Sequence, residues 1–211
     1  LMKFQKKNGL ITGPSEDNGR PMFGHGFALL FFGTLYGMEN DPELRKELAA
    51  RVKKAIRLTS RGQDKYVGWL YYPGGGNEGS VTITQVQALR ACHHSGFVVP
   101  EKTVKNAIKY LERCETSEGG IKYSFGMGGD RTQMPITCAA VSTLYNAGSY
   151  DSPLAKRCMK LVRASFKKQK RWSGGRIGGH AYYAHFYAAQ AFYTAGDEYW
   201  AEYFPKFSVK L

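Results

Sequence analysis

Residues 80–96 read SVTITQVQALRACHHSG and residues 134–148 read MPITCAAVSTLYNAG, and each is a helix-length apolar run closed by a glycine. Two further segments have the same form. Apolar helices are therefore expected at His25 to Tyr36, Ser80 to Ser95, Met134 to Ala147 and Tyr182 to Ala195, ending at Gly37, Gly96, Gly148 and Gly196. These glycines are 59, 52 and 48 residues apart, the spacing of a helical repeat. Glycine supplies the left-handed residue that closes a helix. After each one comes an amphipathic segment, basic in the first three units, with proline near its first turn at Asp41-Pro42, Val99-Pro100 and Ser152-Pro153, and with Asp41 and Ser152 placed as N-caps.

The two helices of each unit differ in kind. Phe27, Ala28, Leu29, Leu30, Phe31 and Phe32 are apolar all round, as are Ile136, Thr137, Cys138, Ala139, Ala140 and Val141, which calls for burial on several sides. The second helices carry apolar residues at helical spacing (Leu44, Leu48, Val52, Ile56; Leu154, Cys158, Leu161, Val162) and charge elsewhere. Buried first helices alternating with exposed second helices predict an all-α fold, an inner ring inside an outer ring, in other words an α/α toroid. A tetratricopeptide array would have more similar helices and a shorter period, near ~34 residues.

At 211 residues and 43% hydrophobic, the chain can support one domain over 1–211. It opens on what reads as the tail of an outer helix, Leu1 to Lys6, and stops at Leu211 partway along another. About four of six hairpins are thus expected, an excerpt of a longer protein or an incomplete ring whose open end favours association.

No charge-free apolar run reaches 18 residues, so no transmembrane segment is expected. Cys92, Cys114, Cys138 and Cys158 lack any short zinc-ligand spacing and are read as reduced, buried residues. The net charge of +13 sits mainly on two segments, around Arg45 to Arg61 and Lys156 to Arg171. On each, the apolar face opposes the charges, which describes a solvated surface, with an anionic partner on these outer helices as the alternative and no specific nucleic-acid groove.

Short glycine and aromatic connectors follow the second helices: Val67-Gly68-Trp69-Leu70-Tyr71-Tyr72, Gly119-Gly120-Ile121-Lys122-Tyr123-Ser124-Phe125 and Trp172-Ser173-Gly174-Gly175-Arg176. With Gln5 and the residues to Ile11, Gln63 with Trp69, and Gln169 with Trp172, they look like degenerate QW repeats. In these the chain resembles the prenyltransferase and squalene-oxidase repeat family, which includes the squalene-hopene cyclases and protein prenyltransferase β-subunits. The resemblance spans nearly the whole chain. It implies a terpenoid-cyclase-like toroid, a structural role for Gln5, Gln63, Trp69, Gln169 and Trp172, and an isoprenoid or other apolar ligand in a central aromatic cavity. The DxDD, DCTAE and DxxYC motifs of the family's enzymes do not occur, so an activity is left unassigned. A non-catalytic scaffold or protein-binding domain and a carbohydrate-active α/α barrel are the other readings, the latter needing a carboxylate pair such as Glu78 with Asp130.

Polar residues near the starts of the apolar helices are the cavity-lining candidates: His25, Glu78, Thr84, Gln85, Gln133 and Tyr183. Asp130, in a glycine-rich loop, is the candidate general acid, with His180 or His185 from the next unit as its partner. A helix cap is the alternative role for Asp130. His180 and His185 are five apart rather than three or four, so no metal and no cofactor are expected. Residues Gly74 to Gly79 resemble a phosphate cradle only in composition. Tyr182, Tyr183, Phe186, Tyr187, Phe192 and Tyr193 on the last apolar helix are placed either to line a pocket or to pack between helices.

Overall fold

In the computed structural model the described residues are 1–14, 19–126, 129–168 and 180–208. They form a short 3₁₀ turn at Met2–Phe4 and the α-helices α1 (Pro21–Met38), α2 (Pro42–Arg61), α3 (Gly79–His94), α4 (Glu101–Arg113), α5 (Met134–Asn146), α6 (Pro153–Lys168), α7 (Ala181–Thr194) and α8 (Asp197–Phe207). Among the described residues the fold is all-α, with two isolated β-bridges and no extended strand. The four expected apolar helices are α1, α3, α5 and α7. The chain divides into two compact units, Leu1–Tyr110 and Leu111–Leu211.

Helix ends follow the local chemistry. Asp41 caps α2 by accepting a hydrogen bond from the Leu44 amide (2.9 Å), and Ser152 caps α6 through the Ala155 amide (3.2 Å). Gly96 and Gly148 take φ of +88° and +77° at the ends of α3 and α5. There the amides of Phe97 and Ser149 close back onto the carbonyls of Cys92 and Leu144. Gly37 departs from this pattern, because α1 runs on to Met38 and Gly37 stays helical. Its missing side chain serves packing instead: a Cβ there would sit 3.0 Å from the hydroxyl oxygen of Ser95, the C-cap of α3.

In the first unit α1 lies along α3, and both touch α2. Gly26 opposes Thr84 and Gln85, Gly33 opposes Ala91 and Cys92, and Gly37 opposes Ser95. The partners advance together along the chain, so α1 and α3 run parallel. Their backbones come close because a Cβ on Gly33 would lie 2.9 Å from the Cys92 backbone nitrogen. Gln85 donates to the Met22 carbonyl (2.7 Å) and Ser95 to the Gly33 carbonyl (2.7 Å) across the same seam. Leu29 and Phe32 of α1, Leu48, Val52 and Ile56 of α2 and Leu89 of α3 fill the core between them. In the second unit α5 packs on α6 and α7, and α7 on α8. Its core gathers aromatic rings around Phe166, whose centroid is 5.9 Å from that of Phe192 and 5.5 Å from those of Tyr203 and Phe207.

The connectors repeat in atomic detail. At Gln5 to Ile11, Gln63 to Trp69 and Glu115 to Ile121, the second residue's amide donates to the sixth residue's carbonyl (Lys6 to Leu10, Asp64 to Gly68, Thr116 to Gly120). The fifth residue has positive φ in all three: Gly9 +102°, Val67 +68° and Gly119 +82°. The seventh donates its amide to a side chain in the first turns of the following apolar helix. Ile11 reaches His25 Nδ1, Trp69 reaches Thr82 Oγ1 and Ile121 reaches Thr137 Oγ1, at 3.0, 3.1 and 3.0 Å.

Candidate functional site

His25, Glu78, Asp130 and Gln133 each hydrogen-bond to one of these connectors, and Gln5, Gln63 and Trp69 lie within them. Gln5 donates through Nε2 to the Gly9 carbonyl (3.2 Å) and to the Arg51 carbonyl on α2 (2.9 Å). Gln63 does the same with Val67 (3.1 Å) and with Thr103 on α4 (3.0 Å). Trp69 is fully buried and donates its ring N–H to the Thr59 carbonyl (2.8 Å). Each carboxamide ties its own turn to a second helix. Gln169 and Trp172 lie outside the described residues.

His25 is buried on α1. Its Nδ1 accepts from Ile11, which leaves the proton on Nε2, 3.0 Å from the Thr59 hydroxyl. Burial lowers its pKa to about 4, so the ring is neutral at pH 7 and joins the connector to α1 and α2. Glu78 is buried at the N-cap of α3, where its carboxylate accepts from the amides of Ser80 (3.1 Å) and Val81 (2.9 Å). Burial raises its pKa, and the hydrogen bonds from Val81 and Ser80 oppose the rise. The same carboxylate fills the helix N-terminus that a phosphate would need, so Gly74 to Gly79 is a structural loop: Asn77 bonds Asp64 (3.1 Å) and the Glu78 amide bonds the Trp69 carbonyl (2.8 Å).

Thr84 is buried and donates to the Val81 carbonyl (2.8 Å), and Gln85 is spent on the α1 seam. Gln133 precedes α5 without a side-chain cap, and its amide donates to the Ile121 carbonyl (2.8 Å). Thr84, Gln85, Glu78 and His25 thus pack between helices of the first unit rather than lining an open cavity.

Asp130 is exposed and accepts from the Ser117 amide (3.0 Å) and hydroxyl. These bonds lower its pKa, keeping the carboxylate ionised, the reverse of what a general acid near pH 7 requires. It anchors the third connector and does not cap α5, whose N-cap is Gln133. Glu78 and Asp130 belong to different units, each with its own structural task. His180 is the exposed N-cap residue of α7. His185 is buried among Phe166, Phe207 and Tyr203, its Nδ1 2.9 Å from the Tyr203 hydroxyl, and burial lowers its pKa to about 4. Among the described residues no three His, Cys, Asp or Glu side chains group as metal ligands. All four cysteines are buried and free, and burial pushes the Cys92 and Cys158 thiols up to about 12.

The surface carries two further features. The first is aromatic. On α7, Tyr182, Phe186 and Tyr193 are 77%, 59% and 69% exposed, while Tyr187 and Phe192 are buried and Tyr183 is half-buried against Tyr187. Positions 182, 186 and 193 fall within about 40° of one another on a helix of 3.6 residues per turn, so they make one stripe. On α1, Phe27 and Phe31 are 38% and 51% exposed beside half-buried Phe23, with Met38 continuing the stripe. The α1 stripe was legible only as general hydrophobicity, because an all-apolar helix does not mark which face stays uncovered.

The second is electrostatic. On α6, Arg157 pairs with Glu115, and Arg163 with Glu198 and Glu202 on α8. On α2, Arg51 pairs with Glu47, but Lys53, Arg57 and Arg61 form no ion pair among the described residues and border a cleft. Charge periodicity on α2 was visible in the sequence. The neighbouring wall was not.

No helix among the described residues is long and apolar enough to cross a membrane. Comparison with known protein families gives no match, and no curated protein matches the sequence.

Proposed function

We propose that this protein is a terpenoid-cyclase-like α/α-toroid repeat protein that binds an apolar small molecule of isoprenoid type against its apolar helices. The observation that carries the reading is the solvent-exposed aromatic stripe on α7, with Phe186 at 59% and Tyr193 at 69%, matched in the other unit by Phe27 and Phe31 on α1. Contiguous exposed aromatics on a first helix cost free energy in water and fit a ligand with no polar demands. The parallel seam of α1 and α3 and the recurring connectors support the toroid. Binding without catalysis is favoured because Asp130, Glu78, His25 and His185 are held in capping or packing bonds.

Trp200 supplies a reporter, since its ring lies edge-on to Tyr193 at 5.5 Å. Titration with farnesol is expected to change tryptophan emission saturably, and Phe186→Ser to weaken that response at least tenfold. Unchanged emission, together with no isoprenoid in a solvent extract of the purified protein, would count against the proposal.

A further inference from the structure

The cleft on the first unit, about 510 Å³, runs between the C-terminal half of α2 and the segment joining α3 to α4. One side carries Lys53, Arg57 and Arg61, spaced by four residues and so on one face of α2. The other carries Phe97, Val98 and Pro100, with Ile56 between. No acidic side chain is among the lining residues. Elsewhere on the basic helices, cations such as Arg51, Arg157 and Arg163 meet carboxylates, whereas these three are exposed along one face with no ion pair among the described residues. Val98 is 90% exposed beside them, an apolar side chain left in water.

We infer that this cleft binds a free single-chain amphiphile, with its oxyanionic head, phosphate or carboxylate, on Lys53, Arg57 and Arg61 and its apolar chain against Phe97, Val98 and Pro100. One ligand answers both features at once: the head pairs with the charge row and the chain covers Val98. The volume lies in the range of small-molecule sites, roughly 300–1,000 Å³, and is a cleft rather than the flat basic face that a membrane or a nucleic-acid backbone would contact. The site is on other helices than the aromatic stripes and stands or falls separately from them.

The test is calorimetric titration of the full chain with dodecyl phosphate below its micellar concentration. It is expected to saturate a site at least tenfold more tightly than inorganic phosphate or dodecyltrimethylammonium. K53Q/R57Q and, independently, Val98→Asp should each weaken it at least tenfold with the thermal unfolding midpoint retained. Lys160→Gln on α6 and Phe31→Ser on α1 should leave it unchanged. Equal affinity for inorganic phosphate, indifference to K53Q/R57Q and Val98→Asp, or binding only to phosphatidylserine vesicles or to a DNA duplex would overturn the proposal.

Discussion

The left-handed position of the connectors gives a pair of substitutions with opposite signs. At the three equivalent positions two residues are glycine, Gly9 and Gly119, and the third is Val67, the one non-glycine residue with positive φ among those described. A left-handed residue with a Cβ costs roughly 1–2 kcal/mol, and a β-branched one sits at the upper end. Asparagine tolerates that region, so Val67→Asn recovers about 1 kcal/mol after loss of the half-buried valine's contacts. Gly9→Ala runs the other way. Its φ of +102° lies outside the region open to alanine, and the added Cβ would stand 2.5 Å from the Lys54 carbonyl oxygen, a backbone atom that cannot step aside cheaply. Strain and overlap together cost about 3 kcal/mol. Urea unfolding followed by circular dichroism reads both. With a slope of about 2 kcal/mol per M, Val67→Asn should raise the midpoint by about 0.5 M and Gly9→Ala should lower it by about 1.5 M. A neutral Gly9→Ala, or a Val67→Asn that destabilises by more than 1 kcal/mol, would refute the equivalence of the connectors.

At the α1–α3 seam, Gly33→Ala gains about 1 kcal/mol of helix propensity but loses about 1–3 kcal/mol to overlap with the Cys92 backbone, so a net loss is expected in the same unfolding assay. A gain in stability would show that the helices are not in close contact. Because the His25 pKa falls from 6.5 to about 4 on folding, the unfolded chain binds more protons between those values. Stability is complete above about pH 6.5 and declines toward pH 4, by up to about 3 kcal/mol for this residue. His25→Gln should flatten that part of the pH profile, and an unaltered profile would contradict the buried neutral ring. Finally, the four cysteines should resist Ellman's reagent at pH 8 in the native protein and all react in guanidinium, which a thiol count measures directly.

The sequence made the helical hairpins legible because their signals are local: an apolar run, a closing glycine, an aspartate or serine before proline. Gly37 misled because glycine has two uses in a helix, ending it and letting a neighbour approach, and the second depends on Ser95, distant in sequence. Glu78 and Asp130 stood out as acids in glycine-rich loops. Whether such an acid does chemistry or holds backbone amides is decided by partners two residues away for Glu78 and thirteen for Asp130. Gln5 and Gln63 were recognisable from their connectors, although the carbonyls they reach, on Arg51 and Thr103, come from another turn of the repeat. The split of α7 aromatics into exposed and buried was half-visible from helical spacing. The basic cleft was hidden, since its apolar wall comes from a loop more than thirty residues beyond α2.

Apolar-ligand binding on the aromatic stripes is tested most directly by photo-crosslinking with a benzophenone-bearing farnesol analogue, followed by peptide mapping. Adducts concentrated on α7 at Tyr182, Phe186 and Tyr193, or on α1 at Phe27 and Phe31, and displaced by excess farnesol, are the predicted result. Labelling no stronger than on the polar faces of α2 and α6, or labelling that farnesol does not displace, would contradict it.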